Sequence, residues 1–227
     1  MNTPERSRRT PTVAGLVTVV CLVCRAAAGY DMEEGLKFRT WFDMGGTFGA
    51  KANLTEFAGP VSGMKLELDP GFQMDFGFDY RVTPWLSVGP ELGLLFNSVD
   101  SFGEFSYHDT WLFQMPIMGK VTLEYPYAGR LLPYIGGGIG GVASALTFGD
   151  NGYYEPDGTG SDFVFGFQAF AGLRWRFTEH SSLGVVYRFL ATDKQHWDVE
   201  WWNESHFHVA SDSIQIHSVT LIFTASF

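Results

Sequence analysis

From Asp162 to Phe177 the chain alternates without a break. Phe163, Phe165, Phe167, Ala169, Ala171, Leu173, Trp175 and Phe177 form one column, and Val164, Gly166, Gln168, Phe170, Gly172, Arg174 and Arg176 form the other. An extended strand points successive side chains to opposite faces. One face is therefore wholly apolar and the other carries glycine, glutamine and two arginines. The stretch is longer than the roughly 9 to 11 residues a tilted strand needs to cross a bilayer. A soluble sandwich can show such alternation once, so the argument depends on repetition.

It repeats along the chain. Gly71 to Arg81 sets Phe72, Met74, Phe76, Phe78 and Tyr80 against Gln73, Asp75, Gly77 and Asp79. Trp85 to Phe96, Trp111 to Tyr125, Leu183 to Ala191 and Val219 to Phe227 follow suit, with a weaker first strand over Phe42 to Ala52. Leu131 to Phe148 is strand-like, but its glycines mark neither face, so its phase is not readable. That makes about eight strands. Connections at 81–84, 126–130 and 178–182 are short, whereas those at 53–70, 97–110, 149–161 and 192–212 are long. Tyr80, Trp85, Tyr125, Trp175, Phe177 and Phe227 fall on the short-turn side, where an aromatic girdle is expected. The pattern predicts an all-β fold: a closed, antiparallel, eight-stranded transmembrane β-barrel with up-and-down topology.

The chain begins with a basic segment, an apolar run over Val13 to Val23 and small residues to Ala28, the layout of a secretory signal. The expected organisation is a signal peptide at 1–28 and one barrel domain at 29–227. Both cysteines, Cys21 and Cys24, fall in the leader, so the mature chain carries no thiol chemistry. Removing four of the 15 basic and one of the 25 acidic residues leaves 11 against 24, a formal charge of −13. Such a chain is a poor partner for nucleic acid, whose phosphates call for a basic surface.

The strand pattern, the stretch Leu132-Pro133-Tyr134-Ile135-Gly136-Gly137-Gly138-Ile139-Gly140 and the ending Phe223-Thr224-Ala225-Ser226-Phe227 resemble the small outer-membrane β-barrel family, the type that includes the OmpA transmembrane domain, OmpX and the opacity proteins. The resemblance covers the mature chain and implies an outer-membrane location. It also implies that the terminal aromatic Phe227 is read by the barrel insertion machinery. It says little about activity, because the family is functionally mixed.

An eight-stranded interior is only just wide enough for side chains. Columns of Phe, Trp and Met would overfill it, which disfavours a lipocalin-like binder and turns the polar column inward. The lumen is then expected to hold a paired charge network of Asp75, Asp79, Glu91, Lys120, Glu124, Arg174, Arg176 and Arg188, with Asp43 and Lys51 on the same face. Such a filled interior is no wide channel, and a narrow ion pore is the weaker alternative. Function is expected on the loops. The segment Gln195 to Val209 keeps the strand period and predicts a projecting hairpin tipped by Trp201 and Trp202, with Trp197 and Phe207 as further contact residues.

His196, His206 and His208 beside Asp198 and Glu200 suit zinc or copper in residue type but lack a closely spaced third ligand, so no metal site and no cofactor is assigned. The acidic loop Gly149 to Gly158 lacks the spacing of an EF-hand. His108-Asp109, His206, His208 and Ser211 are the pieces from which a lipid-modifying enzyme would be built, but they form no recognisable constellation. The expected protein is a non-enzymatic outer-membrane barrel with a structural or surface-interaction role, in contact with outer-membrane lipid and lipopolysaccharide.

Overall fold

Eight long strands close into a ring. The computed structural model describes residues 37–57, 59–83, 85–102, 110–125, 130–149, 158–200 and 206–227; the segment 1–28 expected to be a signal peptide and the loop residues His108, Asp109, Trp201 and Trp202 lie outside them. The strands are β1 (Phe38–Phe57), β2 (Lys65–Leu68), β3 (Gly71–Thr83), β4 (Leu86–Phe102), β5 (Trp111–Glu124), β6 (Leu131–Phe148), β7 (Gly158–Arg176), β8 (Ser181–Thr192), β9 (Gln195–Glu200), β10 (His206–Ser211) and β11 (Gln215–Ser226). Antiparallel ladders run β1–β3–β4–β5–β6–β7–β8–β11, and β11 returns to β1 from Arg39↔Ser226 to Lys51↔Gln215. That last ladder removes the open edges a sheet would otherwise present. The short strands β2, β9 and β10 extend the wall at the long-loop end, where β2 lies between β1 and β4, and β10 pairs with both β1 and β9.

The ladder fixes the phase that the glycines of β6 hide. Ile135 and Ile139 face outward, and Leu132, Tyr134, Val142, Ser144, Leu146 and Phe148 face the lumen. The outer surface is a belt of exposed apolar side chains from every ring strand, including Phe72, Leu92, Ile117, Ile139, Phe165, Leu173, Val185 and Leu221. Such a belt requires hydrocarbon around it, since water would be in contact with the whole of it. Ile139 sits midway along β6 with 63% of its surface exposed. Ile139→Arg is expected to destabilise the folded barrel by about 2–4 kcal/mol, the cost of a cation on the lipid face near the bilayer midplane. Urea titration of the variant refolded in lipid vesicles reads that loss.

The first strand begins earlier than the sequence suggests, at Phe38, and so brings Arg39 and Trp41 into the lumen. It also contains a change of phase. Below Gly49 the inward residues are Arg39, Trp41, Asp43 and Thr47; above it they are Ala50, Ala52 and Leu54. Gly49 has φ of +64°, a left-handed conformation that glycine adopts without strain, and the β1–β11 register shifts between Phe48 and Lys51. The bulge turns Lys51 outward, so this residue is not part of the lumen network that its sequence parity predicts.

Candidate functional site: a two-storey lumen and the hairpin above it

The lower storey, on the short-turn side, is an ionic plug. Arg39 donates from Nη2 to Asp79 Oδ2 at 3.0 Å and to Ser87 Oγ at 2.9 Å, and from Nη1 to Glu124. Arg174 donates to the same Glu124 and lays its guanidinium 4.1 Å from the Tyr134 ring centre. Lys120 Nζ stands 3.4 Å from Asp79 Oδ1, 3.7 Å from Glu91 Oε2 and 3.4 Å from the Trp41 ring centre, while Trp41 Nε1 donates to Asp79 Oδ1 at 3.2 Å.

Arg188 holds the middle. It lies 3.0 Å from Asp43 and 2.9 Å from Asp75, and it donates to Glu91. Gln168 donates to Glu91 at 2.9 Å and Gln73 to Asp75 at 2.6 Å. All these charged groups are buried. Taking them out of water is tolerable because each meets an opposite charge or a hydrogen-bond partner.

Of the eight residues expected in the network, Asp75, Asp79, Glu91, Lys120, Glu124, Arg174 and Arg188 are brought together. Arg176 is not: it forms the last rung of the β7–β8 ladder, opposite Ser182, and is exposed at the barrel mouth. Arg39, Trp41, Gln73 and Gln168 complete the plug. Arg39 and Trp41 escape a sequence reading because the residues before Phe42 do not alternate cleanly, although the odd parity of Asp43 extends back through both.

The upper storey is apolar. Leu54, Leu66, Leu68, Leu95, Val99, Leu112, Val142, Leu146, Phe148, Leu190, Ile214 and Ile216 pack into one buried cluster, closed above by Trp197, Val199 and Val209 of the β9–β10 hairpin. Trp197 is completely buried and donates from Nε1 to Ser144 Oγ at 3.0 Å. Its expected role as an exposed contact residue is therefore corrected. The strand β8 ends at Thr192, and after Asp193-Lys194 the odd residues that faced lipid as Leu183, Val185 and Tyr187 face inward as Gln195, Trp197 and Val199. The reason is solvent. Beside the bilayer an apolar side chain belongs outside; above it, in water, the same side chain belongs inside. Phe207 stands in β10 opposite Val199 in the ladder; Trp201 and Trp202, the expected tip, lie outside the described residues.

The water-facing side of the hairpin carries His196, Asp198 and His208. His208 Nδ1 bonds Asp198, which is its direct cross-strand partner, and both are well exposed. Ser211 lies on the opposite, buried face of β10, so His208 and Ser211 do not form a base–nucleophile pair. As the side chains stand, no three metal-ligating groups among the described residues meet at one point.

A ring of eight antiparallel strands, lipid-facing outside and filled inside, defines a transmembrane β-barrel of the outer-membrane type. A sequence model of the outer membrane protein beta-barrel domain matches residues 17–227, and the chain belongs to that family. Its place is the outer membrane.

No curated protein matches the sequence. Among solved structures the fold is similar to that of the outer membrane protein OprG from Pseudomonas aeruginosa, with a TM-score of 0.59 and 13% identity over 86% of this chain and 99% of that one. It is also similar to Neisserial surface protein A, with a TM-score of 0.54 and 14% identity over 86% and 100% of the two chains. The outer membrane protease OmpT from Escherichia coli gives 0.51 and 7% over 88% and 100%. At these identities the likeness is one of fold.

Proposed function

We propose that this barrel is a closed, non-enzymatic membrane anchor for a surface-contact structure, the wall and hairpin that stand above the bilayer. The observation that carries this reading is the filled lumen: an ionic plug below and an apolar core above, both made of side chains with almost no accessible surface. Aqueous channels are a property of barrels of about 16 to 18 strands, in which side chains no longer span the interior. A plug whose ion pairs join six ring strands, β4 through Glu91, is fixed in place, and an apolar layer on top of it is a second barrier to ions. What remains available to a partner is the water-facing surface at the long-loop end. The contact is with other surface molecules, lipopolysaccharide among them.

Two readouts on one deletion test the reading. In planar bilayers the full chain is expected to show no large, stable conductance. Removing residues 198–207 is expected to leave the boiling-dependent gel shift of the folded barrel intact while abolishing retention of the expressing cells on lipopolysaccharide-coated surfaces. Large stable conductance by the full chain, or retention that survives the deletion, overturns the proposal.

A further inference from the structure

The β9–β10 hairpin gathers metal-ligating residue types on one face. Side chains alternate along a strand, and His196 and Asp198 of β9 and His208 of β10 are all exposed on the hairpin's water-facing side. The ladder joins them in register: Glu200 opposite His206, Asp198 opposite His208, His196 opposite Ala210. Direct cross-strand partners hold their Cβ atoms about 4.5–5.5 Å apart, and diagonal neighbours somewhat under about 7–8 Å. His196 is the diagonal neighbour of His208, and Ala210, the residue opposite His196, has only a methyl group. His196 is fixed at its backbone, where its N–H donates to the Asp162 carboxylate of β7 at 2.7 Å.

The described pair already has the form of an oriented ligand. Asp198 bonds Nδ1 of His208, and 61% of the His208 side-chain surface is exposed. A histidine held through one ring nitrogen by a carboxylate presents the other, here Nε2, to an ion, and this carboxylate–histidine arrangement is the usual support of a ligating imidazole. Nothing else in the described structure uses this pair: it is exposed, it faces away from the core, and Ser211 is on the other side of the strand.

We infer that the water-facing side of the hairpin binds one divalent transition-metal ion of the zinc type, with His208 Nε2 as the anchoring ligand, Asp198 as its positioning residue and His196 turning in from the diagonal. Imidazole ligands select zinc, copper or nickel over calcium and magnesium, which take oxygen. The two exposed imidazoles turn about their side-chain torsions to meet at the ion. The inference is independent of the surface-contact role, since an ion on this face alters neither the plug nor the apolar core.

The test is calorimetric titration of the full refolded chain in detergent with zinc chloride alone. The expected result is one ion per barrel, with affinity lowered at least tenfold in H208A and in H196A. Asp198→Asn is expected to weaken binding by about 10- to 100-fold, the usual effect of losing a carboxylate behind a ligating histidine. His180→Ala, at an exposed histidine on the opposite end of the barrel whose ring sits against the Ser226 carbonyl, is expected to leave binding unchanged. Copper(II) loaded on the same chain should show nitrogen hyperfine structure in its electron paramagnetic resonance spectrum, lost in H208A. All the substituted residues are exposed, and the boiling-dependent gel shift checks that each variant is folded. Absence of zinc uptake by the unmodified chain overturns the inference, as does uptake that H208A leaves unchanged.

Discussion

Replacing Arg188 with alanine is expected to lower the unfolding free energy of the barrel by about 3–5 kcal/mol, the range for removing one partner from a buried ion network. Arg188 reaches from β8 to Asp43 on β1, Asp75 on β3 and Glu91 on β4. Asp43 and Asp75 are directly opposite in the β1–β3 ladder. Without the guanidinium these three carboxylates face one another in a dry space, with Lys120 as the nearest remaining cation and only Glu91 within its reach. The penalty is thus the uncompensated charge and not the lost contact alone. Lysine at the same position is expected to recover only part of the loss, because a point ammonium cannot repeat the fork that spans three acids. Urea titration in lipid vesicles measures both. Restoration of most of the loss by a second substitution, Glu91→Gln, would show that the cost is electrostatic; a double variant as unstable as the single one would point to packing.

The outer face and most of the plug were legible in the residues because within the bilayer alternation and environment agree: apolar residues face lipid, charged ones face the lumen. The upper storey was not legible, for a geometric reason. At four places the backbone changes phase while the apolar residues on its two sides keep one parity, without a break at Gly49 and across polar residues at Asp69-Pro70, Asp193-Lys194 and Asp212-Ser213. Phe42, Met44, Ala50, Ala52 and Leu54 all share one parity, yet the first two face lipid and the last three face the core. In β4 and β6 the opposite device operates. There the backbone runs straight, and the apolar residues change parity instead, from Ile135 and Ile139 outside to Val142, Leu146 and Phe148 inside. A column read by eye gives relative parity only; the face it occupies depends on where each break falls. Short polar pairs such as Asp193-Lys194, set in an apolar alternation, are the sequence signal for such breaks, and they mark the membrane surface as well.

The same reversal determines what Trp197 does. Its substitution by alanine is expected to cost about 3–5 kcal/mol, the range for truncating a large buried aromatic side chain. The indole is the largest of the fully buried side chains among the described residues, and it belongs to the apolar cluster that also holds Leu146, Phe148 and Val199. Its Cβ lies against Gly160 of β7, where an added side-chain carbon would stand 2.8 Å away. That close approach matters because β7 and β8 are joined by a ladder only as far as Gly166↔Thr192. Above that rung, among the described residues, Asp193 N–H bonds the Phe165 carbonyl at 2.8 Å, His196 N–H of β9 bonds Asp162 of β7 at 2.7 Å, and Trp197 and Val199 pack onto Gly160. Truncation at Cβ spares the contact with Gly160, but it empties the space the indole fills in the apolar cluster and leaves Ser144 Oγ without its donor. The loss should therefore be local as well as global. Hydrogen exchange of the β9–β10 amides is expected to accelerate far more than that of β3 to β6, whose ladders are continuous. Trp197→Phe, which keeps one ring but loses the pyrrole part of the indole and the Ser144 bond, should fall between the alanine variant and the unmodified protein. Equal acceleration in all strands would mean that Trp197 supports the barrel as a whole, and the upper storey would then be no separate unit of stability.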